Sequence, residues 1–399
     1  ASPPLVGWIS SLSSLVSLSL SENQFAGPIP ICKNLTSLTF LNLEYNHFST
    51  IPEWFYNLTA LQSLHLSHNE FHAPISSAIA NLTSLVEIDL SFNSIAGDIP
   101  RSMRYLSKLE LLDLSYNKFT GCVTSILGAA SHLTESLEEM HMQDNQLSGH
   151  LPSPLGGFKI LFHFDLSSNC LSGTLPEHLA NLSELQFLNI SNNSFSGIIS
   201  ETHFANLKSL KVFYGSGNPD LNLHFNSTWI PPFQLEEIGM SFTSLGPEFP
   251  MWLQTQNSLR VISFSNARIS HPIPAWISSL PSLYLLDLSH NYIPGYVPDS
   301  LSAAEINLSF NNLSGSLPCI TSTVSSLDLS DNFLKGSLFD FLCGRTTNAT
   351  KLYLLDLSRN HLSGALPDCW MNLQRLNWVA LGSNNFTGEL PKSMNSLTE

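Results

Sequence analysis

The segment LVEIDLSFNSIAGDIP, from Leu85 to Pro100, contains the pattern that decides the fold. Apolar Leu85, Ile88 and Leu90 alternate with polar residues, as in a short strand that buries one face. Asn93 follows, and its side-chain amide can satisfy backbone groups that a buried turn removes from water. One such unit cannot bury its apolar face alone, whereas a stack of them can.

The same pattern recurs along the whole chain. Aligned on the Asn of L-x-x-L-x-L-x-x-N, sixteen copies follow one another at steps of 20 to 28 residues. Thr243 and Ala267 occupy two of these positions. Asparagine occupies the others: Asn23, Asn46, Asn69, Asn93, Asn117, Asn145, Asn169, Asn193, Asn218, Asn291, Asn311, Asn332, Asn360 and Asn384.

This periodicity predicts an α/β repeat solenoid, a leucine-rich-repeat superhelix with a parallel β-sheet on its concave face. Short helical or 3-10 turns are expected on the convex face. We expect one domain over residues 1–399 with about sixteen repeats. Because both ends stop in mid-pattern without the capping repeats that a solenoid needs, we expect a fragment of a longer protein.

Charge and composition exclude several function classes. Only 12% of the residues are charged, and the formal net charge is −15. No run rich in Lys and Arg occurs, so nucleic acid and anionic membranes are poor candidates for a partner. No apolar run approaches the ~18 residues that a membrane-spanning helix requires.

The residue identities within the repeats point to a narrower class than the repeat period does. LLDLSYN at 111–117 and LLDLSRNHLSGALP at 354–367 resemble the plant extracellular subclass of leucine-rich repeats. FNSTWIPPFQL at 225–235, LGPEFPMWLQTQ at 245–256 and LPDCW at 366–370 are similar to segments of plant receptor-like proteins. Within that family, the chain is most similar to the group that contains the receptors for fungal xylanase. The resemblance covers essentially all of the sequence.

The resemblance implies an immune role at the extracellular face of the plasma membrane. A member of this group would bind a microbial protein elicitor, with cell-wall-degrading glycoside hydrolases as the expected class. It would signal through an adaptor receptor kinase and a somatic-embryogenesis-type co-receptor kinase. Two alternatives remain: the ectodomain of a peptide-hormone receptor, and a soluble inhibitor of microbial wall-degrading enzymes.

N-x-S/T sequons support an extracellular location and predict N-linked glycans. Four of them share one phase of the repeat, which is expected on the convex face. Asn189 and Asn307 fall within strands and are weaker candidates. The predicted glycosylation sites are Asn34, Asn57, Asn81, Asn181, Asn192, Asn226, Asn312, Asn348 and Asn385.

The six cysteines show no metal-binding spacing. In a solenoid, a disulfide must join the same or neighbouring coils, because the Cα atoms must lie within roughly 7 Å. Cys343 and Cys369 occupy similar phases of adjacent coils and are the expected pair, with Cys319–Cys343 as the rival. The remaining three, Cys32, Cys122 and Cys170, are expected to be buried free thiols.

Ligand contacts are expected in columns of outward-facing strand residues. Exposed aromatic residues flanked by charge are typical of protein-binding hot spots. The alternative is that Asp and Ser merely fill the consensus and face solvent. The predicted binding residues are Tyr45, His65, His68, Asp89, Phe92, Asp113, Tyr116, His141 and Asp165. Their charge favours a basic ligand.

Catalysis is not expected. Triples such as Ser67, His65 and Asp89 arise because the repeat places Ser and Asp in nearly every coil. An open curved sheet offers no pocket that excludes water. We therefore expect no catalytic residue, no metal site and no cofactor.

Overall fold

A computed structural model describes residues 12–30, 34–128, 132–319, 321–343 and 351–397. The chain divides into two compact units, Ala1–Leu210 and Lys211–Glu399. Each unit is a run of repeats, and the two are described separately below. The single domain expected from the sequence stays a prediction.

In the first unit, three-residue strands of successive repeats pair in parallel and in chain order. These sheet strands are Ser17–Ser19, Phe40–Asn42, Ser63–His65, Glu87–Asp89, Leu111–Asp113, Glu139–His141, His163–Asp165 and Phe187–Asn189. We call the surface made by their outward side chains, together with the turn residues that follow them, the sheet face.

The second unit repeats this arrangement, again in parallel and in chain order. Its sheet strands are Val212–Tyr214, Glu237–Gly239, Val261–Ser263, Leu285–Asp287, Glu305–Asn307, Ser326–Asp328, Leu354–Asp356 and Trp378–Ala380. The predicted repeat solenoid with a long parallel sheet is therefore confirmed.

A second set of short parallel strands follows the sheet strands; we call them flank strands. In the first unit they are Ala26–Gly27, His47–Phe48, Ala96–Asp98, Lys118–Thr120, Ser148–Gly149, Cys170–Gly173 and Ser194–Ile199. In the second unit they are Asp220–Leu223, Pro294–Gly295, Asn312–Gly315, Phe333–Gly336, His361–Ala365 and Asn385–Thr387.

Short helical turns complete the repeats, as expected. The 3-10 turns are Glu53–Asn57, Ser77–Asn81, Arg101–Tyr105, His132–Glu135, Ser153–Gly157, Glu177–Asn181, Met251–Thr255, Ala275–Ser279, Trp370–Asn372 and Lys392–Ser396. The α-helical turns are Thr124–Leu127, Glu201–Phe204 and Phe339–Cys343. No helix within the described ranges is long and apolar enough to cross a bilayer.

The apolar positions of the repeat form the core. Leu85, Ile88 and Ile95 are completely buried, and Leu90 is almost so. Burying one such aliphatic side chain contributes about 1.5–3 kcal/mol. Because each repeat supplies several of them to its neighbours, the stack is stabilised by burial and not by the short strands themselves.

The aligned asparagines tie each coil to the one before it. The Nδ2 of Asn117 donates to the carbonyl oxygens of Leu90, Leu114 and Ser115, at 2.8, 3.3 and 3.0 Å. Its Oδ1 accepts from the backbone N–H of Ile95 at 2.9 Å. One side chain thus satisfies four backbone groups, which explains why the sequence repeats this residue. At one exception, Thr243, the hydroxyl replaces only the bond within its own coil.

The cysteines agree with the sequence-based expectation only in part. Cys343 and Cys369 form a disulfide with Cα atoms 5.5 Å apart, as their phases indicate. Cys122 and Cys170 are free but exposed, so the expectation that they are buried is wrong. Cys170 begins a flank strand and Cys122 follows one, and alternate side chains of such strands face solvent. Cys32 lies outside the described residues.

A candidate ligand-binding face on the first unit

One residue in each repeat, immediately before the aligned asparagine, has a left-handed backbone. Tyr45, His68, Phe92 and Tyr116 occupy this position with φ of 52°, 51°, 51° and 53°. This conformation costs an ordinary L-residue about 1–2 kcal/mol. Aromatic residues are poor choices there on backbone grounds, so their presence requires another explanation.

These four residues, the aromatic column, stack on one another. The rings of Tyr45 and His68, of His68 and Phe92, and of Phe92 and Tyr116 have centroids 4.2 Å apart. The interplanar angles are 9°, 9° and 13°. Tyr45, Phe92 and Tyr116 are nevertheless 51%, 43% and 42% exposed. The structure therefore brings the predicted aromatic residues together as consecutive neighbours.

The stacking decides which part of each ring a ligand can reach. Ring faces inside the column are covered by neighbouring rings, so their edges point to solvent. Aromatic rings carry negative charge density on the face and positive on the edge. The column thus offers an apolar ridge of edges, and a cation can reach a ring face only at Tyr45 or Tyr116, the two ends.

The predicted charged residues lie in the adjacent polar row: His65, Asp89, Asp113, His141 and Asp165. Strand pairing places Asp89 beside Asp113, and Asp113 beside His141. The Oδ1 of Asp113 accepts from the backbone N–H and the hydroxyl of Ser115, at 2.9 and 2.6 Å. Burial raises the pKa of the Asp113 carboxyl, and the charge of Asp89 adds to this effect.

Asp165 departs from the expectation that it is available to a ligand. Its side chain is buried. Its Oδ1 accepts two hydrogen bonds from Ser167, and its Oδ2 accepts one from Asn189. This carboxylate holds the turn and the next strand together, so it is a structural member of the row.

Two glutamates missed by the sequence reasoning lie beside His65. The Nδ1 of His65 is 3.9 Å from Glu44, and its Nε2 is 3.4 Å from Glu87. Glu44, His65 and Asp89 are the one group among the described residues whose ligand atoms are close enough to hold a metal ion. Both carboxylate oxygens of Glu44 already accept hydrogen bonds, from Asn42 and Ser67. The group is thus explained without an ion.

A second ring stack was also missed. His163 lies between His141 and Phe187, with centroids 4.3 and 4.2 Å away. Burial, and then the neighbouring His141, lower the pKa of His163 to about 4. His163 is therefore neutral at the mildly acidic pH at which histidine usually titrates. The signal for the pair His163 and Phe187 is a third outward column, six residues before the aligned asparagine, whereas His141 belongs to the polar row.

The sheet face of this unit has a uniform sign of charge. The outward strand positions and the turn positions after them include Glu44, Glu87, Asp89, Asp113 and Glu139, and none of them holds Lys or Arg. Potentials of one sign over a surface attract and orient an oppositely charged partner.

Most predicted glycosylation sites are exposed: Asn34, Asn57, Asn81, Asn181, Asn192, Asn226, Asn312 and Asn385. Asn57, Asn81 and Asn181 each end a 3-10 turn, away from the sheet strands in sequence. Asn192 instead occupies the left-handed position on the sheet face, where φ is 52°. Asn348 lies outside the described residues.

Comparison with known proteins agrees with this architecture. Leucine rich repeat models match residues 31–71 and 135–195, and also 84–106, 108–129, 184–210, 282–304 and 351–373. Receptor-like protein EIX2 of Solanum lycopersicum is 42% identical over 183 residues. The chain belongs to the leucine-rich-repeat family, and it is similar to plant receptor-like proteins. Receptor-like protein EIX1 of the same species is 43% identical over 138 residues.

The likeness to these receptor-like proteins is partial in length. The alignments cover 45% and 32% of this chain, but only 18% and 13% of EIX2 and EIX1. Among solved structures, the chain is similar to the Arabidopsis receptor kinase HAESA in complex with the peptide hormone IDA and the co-receptor SERK1. That match has a TM-score of 0.65 and 26% identity, and it covers 98% of this chain and 73% of the other.

Proposed function

We propose that the chain is the ligand-recognition part of a plant cell-surface receptor-like protein, on the extracellular side of the plasma membrane. Its ligand is a microbial protein elicitor, and cell-wall-degrading glycoside hydrolases are the first class to test. Its role is binding and not catalysis. Signalling passes to an adaptor receptor kinase and a somatic-embryogenesis-type co-receptor kinase; the presence of SERK1 in the HAESA complex supports this type of partner.

The observation that carries the proposal is the aromatic column. Its rings are half-exposed and lie on backbone that disfavours them. Some other repeats fill the same position with residues that tolerate this backbone, such as Asn192 and Asn266, whereas the second unit also places Phe242, His290 and Phe310 there. Aromatic side chains at the centre of an interface supply much of its binding energy. Contact with a ligand accounts for an unbroken run of four such rings at this position.

The charge beside the column specifies the ligand further. An acidic sheet face without Lys or Arg favours a ligand that presents basic side chains around an apolar patch. Such complementarity mainly raises the association rate. At an ionic strength of about 0.1–0.15 M, salt screens attraction between charges that are more than about 8–10 Å apart. Raising the salt concentration should therefore slow association more than it speeds dissociation.

The test is binding of a purified fungal endoxylanase to the immobilised chain. Replacing Tyr45, Phe92 and Tyr116 together by Asn should weaken binding by about 100-fold, since hot-spot side chains contribute about 2 kcal/mol or more each and are not additive. Phe310 provides a matched control in the second unit. It has φ of 53° and stacks on His290 with centroids 4.2 Å apart.

A second candidate is a peptide-hormone receptor. The likeness to the HAESA ectodomain over 98% of this chain favours it, because that structure holds the peptide hormone IDA. The two candidates differ in the size of the ligand. Binding of a short secreted plant peptide, with no binding of folded microbial enzymes, would favour the hormone receptor. Xylanase activity measured in the same mixtures separates a receptor from an inhibitor.

A further inference from the structure

The flank of the second unit exposes aromatic side chains that the sheet face does not explain. Five parallel flank strands, defined above, run from Pro294–Gly295 to Asn385–Thr387. At one end of this set, Tyr296 and Phe333 are 74% and 51% exposed. The ring of Tyr296 lies against Gly315, which has no side chain in the way. The ring of Phe333 also contacts that of His361, with centroids 5.9 Å apart, and the rest of its surface faces solvent.

A sequon lies between these two rings. In the strand Asn312–Gly315, Asn312 is exposed and Leu313 is buried, so Asn312 and Ser314 face outward together. Ser314 pairs with Phe333 on one side. On the other side Gly295 pairs with Leu313, which brings Tyr296 opposite Ser314. Neighbouring strands are about 4.8 Å apart, and successive residues on one face of a strand are about 6.6 Å apart, so a sugar that extends from Asn312 over Ser314 reaches both rings.

We propose that Asn312 carries an N-linked glycan whose first N-acetylglucosamine packs against Tyr296 and Phe333. The host transferase joins Nδ2 of Asn312 to C1 of the sugar, with loss of one amide proton. The bond from C1 to the pyrophosphate of the lipid-linked donor breaks at the same time. The polarised C–H groups of the sugar ring then meet the electron-rich faces of the aromatic rings.

This inference rests on the proposed passage through the secretory pathway but not on any ligand. It explains why two exposed aromatic rings, Tyr296 and Phe333, lie beside Ser314, the serine of the sequon that begins at Asn312. The glycan would cover an apolar surface that otherwise promotes association between molecules. Its role is to hold and shield this flank.

Asn385 supplies a matched control within the same unit. It begins the strand Asn385–Thr387 and is also an exposed sequon asparagine at the same phase of its repeat. Its neighbours differ, because Asn385 pairs with Ser363, and Thr387 pairs with Ala365. A glycan on Asn385 therefore finds no aromatic ring at the two residues that pair with its sequon, and it should move freely.

The experiment uses the chain secreted from plant or insect cells. Peptide mass spectrometry measures occupancy, and an endoglycosidase trims each glycan to a single N-acetylglucosamine. Amide hydrogen exchange is then compared between the trimmed protein and the variants Asn312→Gln and Asn385→Gln, each of which lacks one sugar. The comparison is repeated in a protein that also carries Tyr296→Ser and Phe333→Ser. Both of these side chains are exposed, so this double variant should fold.

We expect Asn312 to be occupied, and its single sugar to slow amide exchange in Asn312–Gly315 and Phe333–Gly336 about 5-fold. The effect should disappear in the serine background, and Asn385→Gln should have none. An unoccupied Asn312 would overturn the proposal. Equal protection in the serine background, or equal protection by the sugar on Asn385, would overturn the aromatic packing even if xylanase binding succeeds.

Discussion

Replacing Phe92 by Asn tests whether the aromatic column serves the fold or a ligand. Phe92 stacks on His68 and Tyr116. Each contact is worth about 0.5–1.5 kcal/mol, and the ring is 43% exposed, so the loss is about 1–2 kcal/mol. Asn tolerates the left-handed backbone at this position, where φ is 51°, and recovers about 1 kcal/mol. The net cost should be about 1 kcal/mol or less.

The free energy of unfolding is measured by urea titration followed by circular dichroism. Phe119→Ala provides the scale, because Phe119 is completely buried and its truncation should cost about 3–5 kcal/mol. A loss of 3 kcal/mol or more for Phe92→Asn would refute the reasoning. It would mean that the column holds the coils together and needs no ligand to explain it.

Three further predictions concern stability. Asn117→Ala removes four hydrogen bonds to the backbone and leaves the buried N–H of Ile95 without its acceptor, so it should cost about 2–4 kcal/mol in the same titration; a cost below 1 kcal/mol would contradict the asparagine ladder. Asp113→Asn should raise stability at pH 7 by about 0.5 kcal/mol, since Asn307 makes the same bonds to its serine. Because burial raises the folded pKa of Asp113, this gain should shrink as pH falls through that pKa towards the unfolded value of about 3.9, and a gain that grows over this range would contradict it. Opening the 26-residue loop by Cys369→Ser should cost about 2–4 kcal/mol in non-reducing buffer, whereas no loss would show that the bond does not form in the protein.

The fold could be predicted because one residue type recurs at one phase. Leu85 and Ile88 are buried, as the repeat period indicates. The columns of outward residues follow from the pairing of neighbouring strands. The sequence could therefore predict that Tyr45 and His68 are neighbours. It could not predict the angle between their rings, because ring orientation depends on the left-handed backbone of the turn.

The rest of the site depends on local packing that the period does not encode. Asp165 and Asp89 are the same residue type at the same position of the repeat. Asp165 is nevertheless buried, and Asn189 on the next strand donates a hydrogen bond to it. The sequence-based prediction did not include the column that contains His163, although Phe187 follows it in the next coil and stacks on it. Identical positions in a repeat therefore differ in function through their neighbours in adjacent coils.

The most direct test of the binding face compares four proteins in one biolayer interferometry series with a purified fungal endoxylanase. They are the wild-type chain, the triple variant of Tyr45, Phe92 and Tyr116 to Asn, Phe310→Asn, and Asp165→Asn. We predict that the triple variant binds about 100-fold more weakly and that Phe310→Asn binds like the wild type. Asp165→Asn should also retain binding, because its carboxylate is buried and accepts hydrogen bonds from Ser167 and Asn189. Equal affinity of the triple variant and the wild type would contradict the site, and no binding by the wild-type chain would contradict the proposed ligand class.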